Sequence, residues 1–481
     1  MINLTGKIYW NSLKALRFIG VNKAVFYGLA TRVWVAITGI IFIYLITSYF
    51  TPQVQGYYYT FRSLLGLQIF VELGLGVVII NFASHEWSKL GLDEKGRITG
   101  DPNALSRLKG LTRISFKWYF VGSVILCLVL GMSGYIFMAR PEKTIVDWVI
   151  PWIFLCVISC INLCITPALC VIEGCNQITE IFYCKFIGEI VRFISTAIVI
   201  MLNGGLWAAA ASMFFPLLWM VIYLLKKYYF FFRTLIINDI VGPKIDWWKE
   251  IWPMQWRIAV SWISGFFIFS LFVPTLFYFH GAIVAGQMGL SCSITSTLTA
   301  LANTWIASRA PVFGVLASKR EFIKLDKLFF KISIISVLIA FLGAIAIYCI
   351  VLFLNVYYVN YASRLLPPPT MLVLLIATVL MQISYPQSTY LRAHKEEPLM
   401  GLSVSMAVIM AILSLIFGRL YGAMGLSASY LFAVVFVTIP FETIIWYRRR
   451  REWYPEYFSK LSTISEGGAF NEEEYTIRDY T

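Results

Sequence analysis

Charged residues are scarce in this chain of 481 residues. Asp, Glu, Lys and Arg make up 13% of it, whereas hydrophobic residues make up 59% and the mean hydropathy is +0.76. A soluble domain has an apolar share of roughly 45–50%. The shortage of charge therefore excludes an ordinary soluble domain and indicates a polytopic membrane protein.

Histidine is rarer still, with only His85, His280 and His394 in the whole sequence. None of them stands with a carboxylate in a catalytic pattern inside an apolar run. No predicted outer loop has the length that an integral-membrane glycan polymerase usually needs. These absences argue against an enzyme of the polymerase or acyltransferase kind, although His280, in a predicted outer turn, remains open.

The nine cysteines suggest neither a disulfide nor a metal site, because all of them fall within or beside apolar runs. Cys156, Cys160 and Cys164 repeat every four residues, but their neighbours are apolar and no histidine is near. We interpret this spacing as helix packing and expect no metal and no cofactor. Residues 1–24 lack the apolar core of a cleavable signal peptide and instead predict an amphipathic helix on the cytoplasmic surface.

Long apolar runs are what the chain has in abundance. A membrane-spanning helix needs about 20 mostly apolar residues, and we count twelve such runs. The predicted spans are 25–48, 57–84, 116–139, 147–172, 180–202, 206–226, 254–279, 285–308, 331–357, 367–387, 399–418 and 424–446. The predicted fold class is an all-α polytopic membrane protein, with two six-helix lobes related by a pseudo-twofold axis around a central cavity.

The positions of lysine and arginine predict the orientation, because cytoplasmic loops retain them. Segment 85–117 is rich in basic residues, the loop at 51–56 has none, and basic residues recur in 227–250, in 309–331 and at Arg448–Arg451. Both termini are therefore expected in the cytoplasm. The net charge of +14 is explained by topology and does not indicate a nucleic-acid partner.

These patterns divide the chain into five parts. They are a cytoplasmic amphipathic segment (1–24), an N-lobe with spans 1–6 (25–226), a basic cytoplasmic connector (227–253), a C-lobe with spans 7–12 (254–446) and a cytoplasmic tail (447–481).

We single out seven charged residues inside the apolar runs, where an ionised side chain costs about 2.5–3.5 kcal/mol on insertion scales. They are Arg32, Arg62, Glu72, Lys185, Glu189, Arg192 and Arg257. Such residues normally face a water-filled cavity or a charged partner. Cations outnumber anions among them, which predicts that an anion binds in the cavity.

Two pairs of segments resemble the polysaccharide flippases. Tyr49–Tyr58 (YFTPQVQGYY) followed by Phe70–Gly76 (FVELGLG) is similar to that family's sequence over spans 1 and 2, and Ala307–Pro311 with Leu316–Arg320 is similar to its second-half counterpart. The family belongs to a superfamily with drug–cation antiporters and lipid II flippases. The resemblance covers nearly the whole chain.

This resemblance implies a substrate, a location and partners. The expected substrate is an undecaprenyl-diphosphate-linked oligosaccharide, such as an O-antigen, lipopolysaccharide or capsule unit, carried from the inner to the outer leaflet of the bacterial cytoplasmic (inner) membrane by alternating access. Membrane lipids and a glycan polymerase with its chain-length partner are the other implied partners. We expect a monomer that acts as a transporter and not as an enzyme.

The charged residues then take expected roles. Arg32, Arg62 and Arg257 are candidates to bind the diphosphate, since guanidinium groups bind phosphate oxygens bidentately. The alternative is that Arg62 and Arg257 extend to the membrane surfaces.

Span 5 carries a second group of charges. Lys185, Glu189 and Arg192 fall within a wedge of about 60° on one helix, continued by Thr196. They either line the cavity, with Lys185 and Arg192 binding substrate, or form a neutral structural cluster.

Glu72 and Glu189 are the candidates for charge pairing or for coupling to a proton or sodium ion. We expect Glu72 at about 80° from Arg62 on one helix, where it could pair with Arg32 or Arg62. The hydroxyl-rich span 8 suggests either sugar contacts or close helix packing. A drug–cation antiporter of the same superfamily is the main rival, and the excess of cations argues against it.

Overall fold

A computed structural model of the protein describes residues 23–93, 96–138, 146–236, 242–243, 245–394 and 398–454, without the side chains of Val25, Met254, Arg257, Ser261, Phe269 and Pro311. The described chain is almost entirely helical. Its helices are α1 (Lys23–Tyr49), α2 (Pro52–Leu65), α3 (Ile69–Glu72), α4 (Leu75–Trp87), α5 (Pro102–Met138), α6 (Val149–Gly174), α7 (Ile178–Met201), α8 (Trp207–Ile236), α9 (Trp252–Phe269), α10 (Phe272–His280), α11 (Ala282–Ser318), α12 (Phe322–Tyr357), α13 (Val359–Ala362), α14 (Pro368–Ala393), α15 (Met400–Ala433) and α16 (Ile439–Trp453).

Length and composition identify the helices that can cross a membrane. Eight candidate spans pass this test among the described residues, or nine when α2 to α4 are taken as one bent span. The all-α polytopic fold is therefore confirmed. The helices α7 and α11 are missing from this group: α7 carries four charged residues, and α11 is rich in hydroxyl side chains.

One long helix in fact contains a chain reversal. Gly422 in α15 has φ 60° and ψ −138°, a conformation open mainly to glycine. A Cβ atom added to Gly425 would lie 2.2 Å from the carbonyl oxygen of Phe417, which is possible only if the chain turns back. The two arms correspond to predicted spans 11 and 12. The number of twelve spans remains a prediction.

His280 lies against this turn. Its Nε2 is 2.7 Å from the carbonyl oxygen of Gly418, so the ring joins α10 to the hairpin of α15. A structural role therefore explains this histidine.

Several helices extend beyond the predicted spans, and the segment after span 2 contains strands. The basic segment after span 2 forms a β-hairpin, with β1 (Leu90–Leu92) antiparallel to β2 (Ile98–Gly100). The helix of span 6 continues to Ile236, and that of span 12 to Trp453. The long side chains of lysine and arginine keep their charged ends in water where a helix continues past the bilayer. Hydropathy therefore marks the membrane edge and not the helix end. Residues 1–22 and 455–481, which include most of the predicted amphipathic segment and tail, lie outside the described residues.

The connector between the lobes is attached to the N-lobe. Arg107 of α5 donates to Glu86 at 2.8 Å and to Glu250, just before α9, at 2.5 Å. The hydrogen bond from Arg107 lowers the pKa of Glu250, so this carboxyl is ionised at neutral pH. Trp118 stacks on Trp247, with ring centroids 5.3 Å apart. These contacts fix the start of the C-lobe against one flank of the N-lobe.

A buried ion pair holds the cytoplasmic end of the C-lobe together. Arg450 of α16 binds Asp326 of α12, and each side chain is only 8% exposed. Tyr390 of α14 donates to the second carboxylate oxygen of Asp326 at 3.1 Å. The guanidinium carbon of Arg450 lies 4.5 Å from the centre of the Trp446 ring. Three helices are thus joined through one charge pair.

We expect Arg450→Gln to lower the free energy of unfolding by about 3–5 kcal/mol, because Asp326 would be left as a buried charge without its cation. Arg449→Gln is the matched control: its ion pair with Glu452 is exposed, and such pairs contribute about 0–1 kcal/mol. Denaturant unfolding of both variants in detergent measures the difference. Equal stability of the two variants would contradict this assignment.

Candidate functional site

The two lobes meet through small residues near the predicted outer side. A Cβ atom added to Gly56 of α2 would lie 1.9 Å from the carbonyl oxygen of Ala282, and one added to Gly289 of α11 would lie 2.4 Å from the Cβ of Tyr59. Gln55, buried between the helices, donates to the carbonyl of Gly286 at 2.9 Å. Small residues allow helices to approach this closely in membranes. We call this contact of α2 with α11 the outer seal.

Arg32 lies on the cytoplasmic side of a second contact between the lobes. Farther along α1, a Cβ atom added to Gly39 would lie 3.5 Å from the Oγ1 of Thr297 in α11. Arg32 comes seven residues before Gly39, so the two project within about 20° of each other. The side chain of Arg32 is exposed, and it therefore points towards the C-lobe below this contact.

Arg62 occupies a matching position on α2. It comes seven residues after Gln55 on the same helix and is also exposed, so it projects within about 20° of Gln55, towards α11. Because α2 is predicted to run from outside to inside, Arg62 also lies on the predicted cytoplasmic side of the outer seal. Two arginines of adjacent helices therefore face the other lobe below the point where the lobes touch.

Hydroxyl side chains of α11 lie near the level of Arg32. Thr304 and Ser308 follow Thr297 at helical spacing, and Ser308 is exposed. Nearer the outer side the hydroxyls are buried instead: Ser291 is fully buried and accepts from the backbone N–H of Leu366 at 3.2 Å. Span 8 thus uses its hydroxyls for packing outside and exposes them inside. We use the name cytoplasmic cleft, after the side on which the sequence predicts it, for the region of Arg32, Arg62, Thr297, Thr304 and Ser308.

The predicted stripe on α7 is partly exposed. Ile194, which is 50% exposed, projects about 180° from Lys185 around the helix, and the side chain of Lys185 is itself 47% exposed. Lys185 binds Glu173 of α6 at 3.1 Å, and Arg192 binds Glu189.

Two further contacts fix the position of the stripe. Thr196 is fully buried and donates to the carbonyl of Arg192 at 2.6 Å. The Trp34 N–H of α1 donates to the carbonyl of Glu189 at 3.4 Å. Both cations of the stripe are paired: Arg192 with Glu189 of the stripe, and Lys185 with Glu173 of α6.

Glu72 marks a break in span 2, which differs from the single helix that we expected. Leu73 and Gly74 have left-handed φ angles of 45° and 68° after α3, and the two parts of the span are bent by 45°. A Cβ atom added to Gly74 would lie 2.2 Å from the Cγ2 of Ile258 in α9. The contact with the other lobe requires glycine here, and the helical angle of about 80° between Glu72 and Arg62 no longer applies.

The structure does not pair Glu72 with either arginine. Among the described residues no cation lies within ion-pair distance of Glu72. Cys170 of α6 lies within electrostatic range of Glu72, Glu173 and Lys185, so Glu72 belongs to the N-lobe interior. Arg257 falls on α9 next to Ile258, but its side chain lies outside the described part of the structure.

No metal site emerges from the described residues. No group of three His, Cys, Asp or Glu side chains in that part of the chain could hold a metal ion. Cys156, Cys160 and Cys164 are free thiols, with the sulfur of Cys164 3.1 Å from the hydroxyl of Ser123. An apolar crevice of about 330 Å³ opens between α5, α6 and α8, and no predicted site residue lines it.

Two carboxylates escaped prediction from the sequence. Glu173 lies twelve residues before Lys185 on another helix, so helical spacing could not connect them. Glu442 lies within predicted span 12 and is 3% exposed. Its position in an apolar run was the same signal that identified Glu72, and it could have been found.

Solved structures share this fold. An inward-facing multidrug resistance MATE family transporter of the MOP superfamily has a TM-score of 0.62 at 15% identity and covers 90% of this chain and 96% of its own. The MATE multidrug transporter DinF-BH in complex with R6G has a TM-score of 0.60 at 15% identity, with coverage of 90% and 96%. The lipid II flippase MurJ, in an inward closed conformation, has a TM-score of 0.58 at 13% identity and covers 86% of both chains.

Sequence comparison adds nothing to this result, because no protein-family model and no curated protein sequence matches the chain. At these identities the likeness establishes the fold, which this chain shares with the MATE transporters and the lipid II flippase compared above. An outward-facing MATE family transporter has a lower TM-score of 0.50.

We expect Gly56→Val to break the outer seal and to reduce access to the cytoplasmic cleft, because the added side chain would overlap the carbonyl of Ala282. Access is measured on inside-out vesicles as the labelling rate of Thr304→Cys by a membrane-impermeant maleimide, in a background without the native cysteines. Labelling should slow several-fold. Gly314→Val on α11, where a Cβ meets nothing within 4 Å, is the control. Unchanged labelling of the Gly56 variant would refute the seal.

Proposed function

We propose that the protein is a flippase that moves an undecaprenyl-diphosphate-linked oligosaccharide from the inner to the outer leaflet of a bacterial cytoplasmic membrane. The observation that supports this most is the pair of arginines in the cytoplasmic cleft. Among the described residues neither Arg32 nor Arg62 has a carboxylate within ion-pair distance, whereas Lys185 and Arg192 are both paired. The cleft therefore has two positive charges to offer to an anion.

A diphosphate suits these two arginines chemically. Each guanidinium stays protonated and can donate two parallel hydrogen bonds to phosphate oxygens. Both helices pack against α11, with Arg32 near the level of Thr304 and Arg62 about 18 Å nearer the outer seal, so the two arginines would meet the headgroup at different depths. The hydroxyls of Thr304 and Ser308 could then contact the glycan, while the polyprenyl tail stays in the lipid beside the cleft.

Alternating access gives the transport step. In the inward-facing state the headgroup enters the cytoplasmic cleft, and rocking of the lobes opens the outer seal and closes the inside. With the inside negative, each negative charge moved outward gains about 2.3 kcal/mol per 100 mV. Arginines that move little would leave this gain intact, so the membrane potential can drive the export of an anionic headgroup.

The remaining predicted residues take supporting places in this proposal. Lys185 and Arg192 are in ion pairs that could exchange their carboxylate for substrate, and Arg257 would add a third cation from α9. Glu72 and Glu189 remain candidates for coupling to a proton or sodium ion. The oligosaccharide would pass to a glycan polymerase with its chain-length partner, and the transporter would act as a monomer.

A drug–cation antiporter is the second candidate. The likeness to the MATE multidrug transporter solved with R6G supports it, as does Glu72, a carboxylate in the N-lobe interior without a cation partner among the described residues. A lipophilic cation would, however, have to pass Arg32 and Arg62 to reach the N-lobe interior. Ligand binding separates the two functions.

We expect undecaprenyl diphosphate to bind the purified protein in nanodiscs, and Arg32→Gln and Arg62→Gln each to weaken this binding. A hydrogen bond to a charged group contributes about 1.5–3 kcal/mol, which corresponds to roughly 10- to 150-fold in the dissociation constant. Lys319→Gln, at the exposed cytoplasmic end of α11, is the control and should bind as the wild type does. Added salt should weaken the wild type more than either variant.

The same variants distinguish the rival. If the protein instead transports drugs, rhodamine 6G should bind, and Arg32→Gln should leave that binding unchanged or strengthen it. In cells, Arg32→Glu should abolish surface polysaccharide at normal protein levels. Normal glycan display, or tight cation binding without diphosphate binding, would overturn the flippase proposal.

A further inference from the structure

A carboxyl group without a cation lies in the C-lobe. Glu442 of α16 is 3% exposed and directly follows a π-helical turn, Val434–Thr438, and Pro440. The basic residues Arg448–Arg451 come six to nine residues later, which places Glu442 about 9 Å inside the helix from the nearest of them. This residue has no role in the cytoplasmic cleft.

The contacts of Glu442 leave half of its carboxyl group without a partner. Ser384 of α14 donates a hydrogen bond to Oε2. Oε1 is buried and has no hydrogen-bond partner. Among the described residues no lysine, arginine or histidine lies within ion-pair distance of it.

The surrounding charged and titratable groups are few. From α14, Arg392 and Tyr385 are within electrostatic range of Glu442. From α12, Asp326 is bound by Arg450. Arg450 lies about two turns after Glu442 on α16. The π-helical turn itself has no titratable side chain. Nothing on these elements forms the ion pair that an ionised Glu442 would need.

An ionised carboxylate in this position would bear the full cost of removal from water, whereas the neutral acid bears much less. We propose that Glu442 is a proton-binding site of the C-lobe, occupied by a proton in the inward-facing state. The step is the release of H⁺ from the carboxylic acid to water, leaving the carboxylate, when the C-lobe rearranges and Glu442 gains access to solvent or to Arg392.

A proton fits the site better than a sodium ion does. A sodium ion would need several oxygen atoms around Oε1. Gln387 and Thr443, polar residues on the same two helices, are hydrogen-bonded to each other at 3.1 and 3.3 Å. A single carboxyl with one hydroxyl donor is sufficient for a proton.

The backbone around Glu442 can change shape. Pro386 lies inside α14, two residues after Ser384, and Pro440 lies at the start of α16. Proline removes a helical hydrogen bond, and π-helical turns often occur at functional sites. Both helices that form the site are thus interrupted where it lies.

Linkage determines the sign of the expected effect. A proton that binds the inward-facing state more tightly must favour that state when it binds. Rising pH should therefore shift the protein away from the inward-facing state, by up to about tenfold per pH unit for one proton. The proton site adds a regulating ion to the proposed transport function and rests on it, but it does not depend on which substrate is carried.

Two readouts on the full-length protein in nanodiscs, without substrate, test it. In infrared difference spectra, the wild type should show a protonated carboxyl band that Glu442→Gln lacks. The labelling rate of Thr304→Cys should be divided by that of Lys319→Cys, an exposed position, at the same pH, because thiolate formation speeds maleimide labelling as the pH rises. This ratio should fall with rising pH, and Glu442→Gln should remove the fall. Glu452→Gln, an exposed carboxyl on the same helix, is the control and should behave as the wild type in both.

Other outcomes have defined meanings. A Glu442→Gln protein that keeps both the band and the pH dependence overturns the proposal. A response to sodium at constant pH, with no protonated carboxyl band, also overturns it in favour of a sodium site. If Glu442→Gln does not fold, Ser384→Ala must shift the band and the pH midpoint instead, and an unshifted midpoint counts against the site. Loss of diphosphate binding alone would contradict the flippase and leave this site intact.

Discussion

The cost of placing a charge in lipid explains the arrangement of nearly every ionisable residue in this protein. A charge in a span must have a counter-charge, face water or give up its ionised form. The first solution applies to Lys185 with Glu173, Arg192 with Glu189 and Asp326 with Arg450. The second applies to the cleft arginines, and the third is the one that we assign to Glu442. The paired charges neutralise each other inside each lobe. The charged residues without such a partner therefore identify the places where an external ligand or ion can bind.

The outer seal depends on the opposite property, the absence of side chains. Gly56 and Gly286 allow α2 and α11 to approach until backbone touches backbone, and the polar side chain buried in this contact, Gln55, is uncharged and hydrogen-bonded to the carbonyl of Gly286. Such a contact can open without leaving an unpaired charge behind, which suits a gate. On the cytoplasmic side the attachment is polar instead, through Arg107 and Glu250, and water can replace its partners when the lobes move. The two ends thus use interactions suited to the solvent that each of them meets.

Sequence patterns predicted the polytopic helical fold because apolar runs of sufficient length have few alternatives. They also made Arg32 and Arg62 candidate binding residues, since both stand out within apolar surroundings, and this assignment remains a prediction. Spacing along one helix failed where partners come from another helix, as with Lys185 and Glu173. It failed again at Glu72, because one glycine contact with Ile258 breaks the helix on which the angle was measured. The hairpin at Gly422 and the true helix ends likewise depend on tertiary contacts and interfacial residues, which hydropathy does not contain.

The two lobes divide their polar chemistry in different ways. In the N-lobe the charges remain partly exposed, with Arg192 and Glu189 at 30% and 29%. In the C-lobe the polar residues of α12, α14 and α16 are sealed, and Arg450, Asp326 and Glu442 have little contact with solvent. An exposed set of charges can exchange partners with a ligand, whereas a sealed one can respond only when its helices move. Substrate contact on the N-lobe side and ion linkage in the C-lobe would therefore be coupled through the movement of α11 against α2, the helices that form the outer seal.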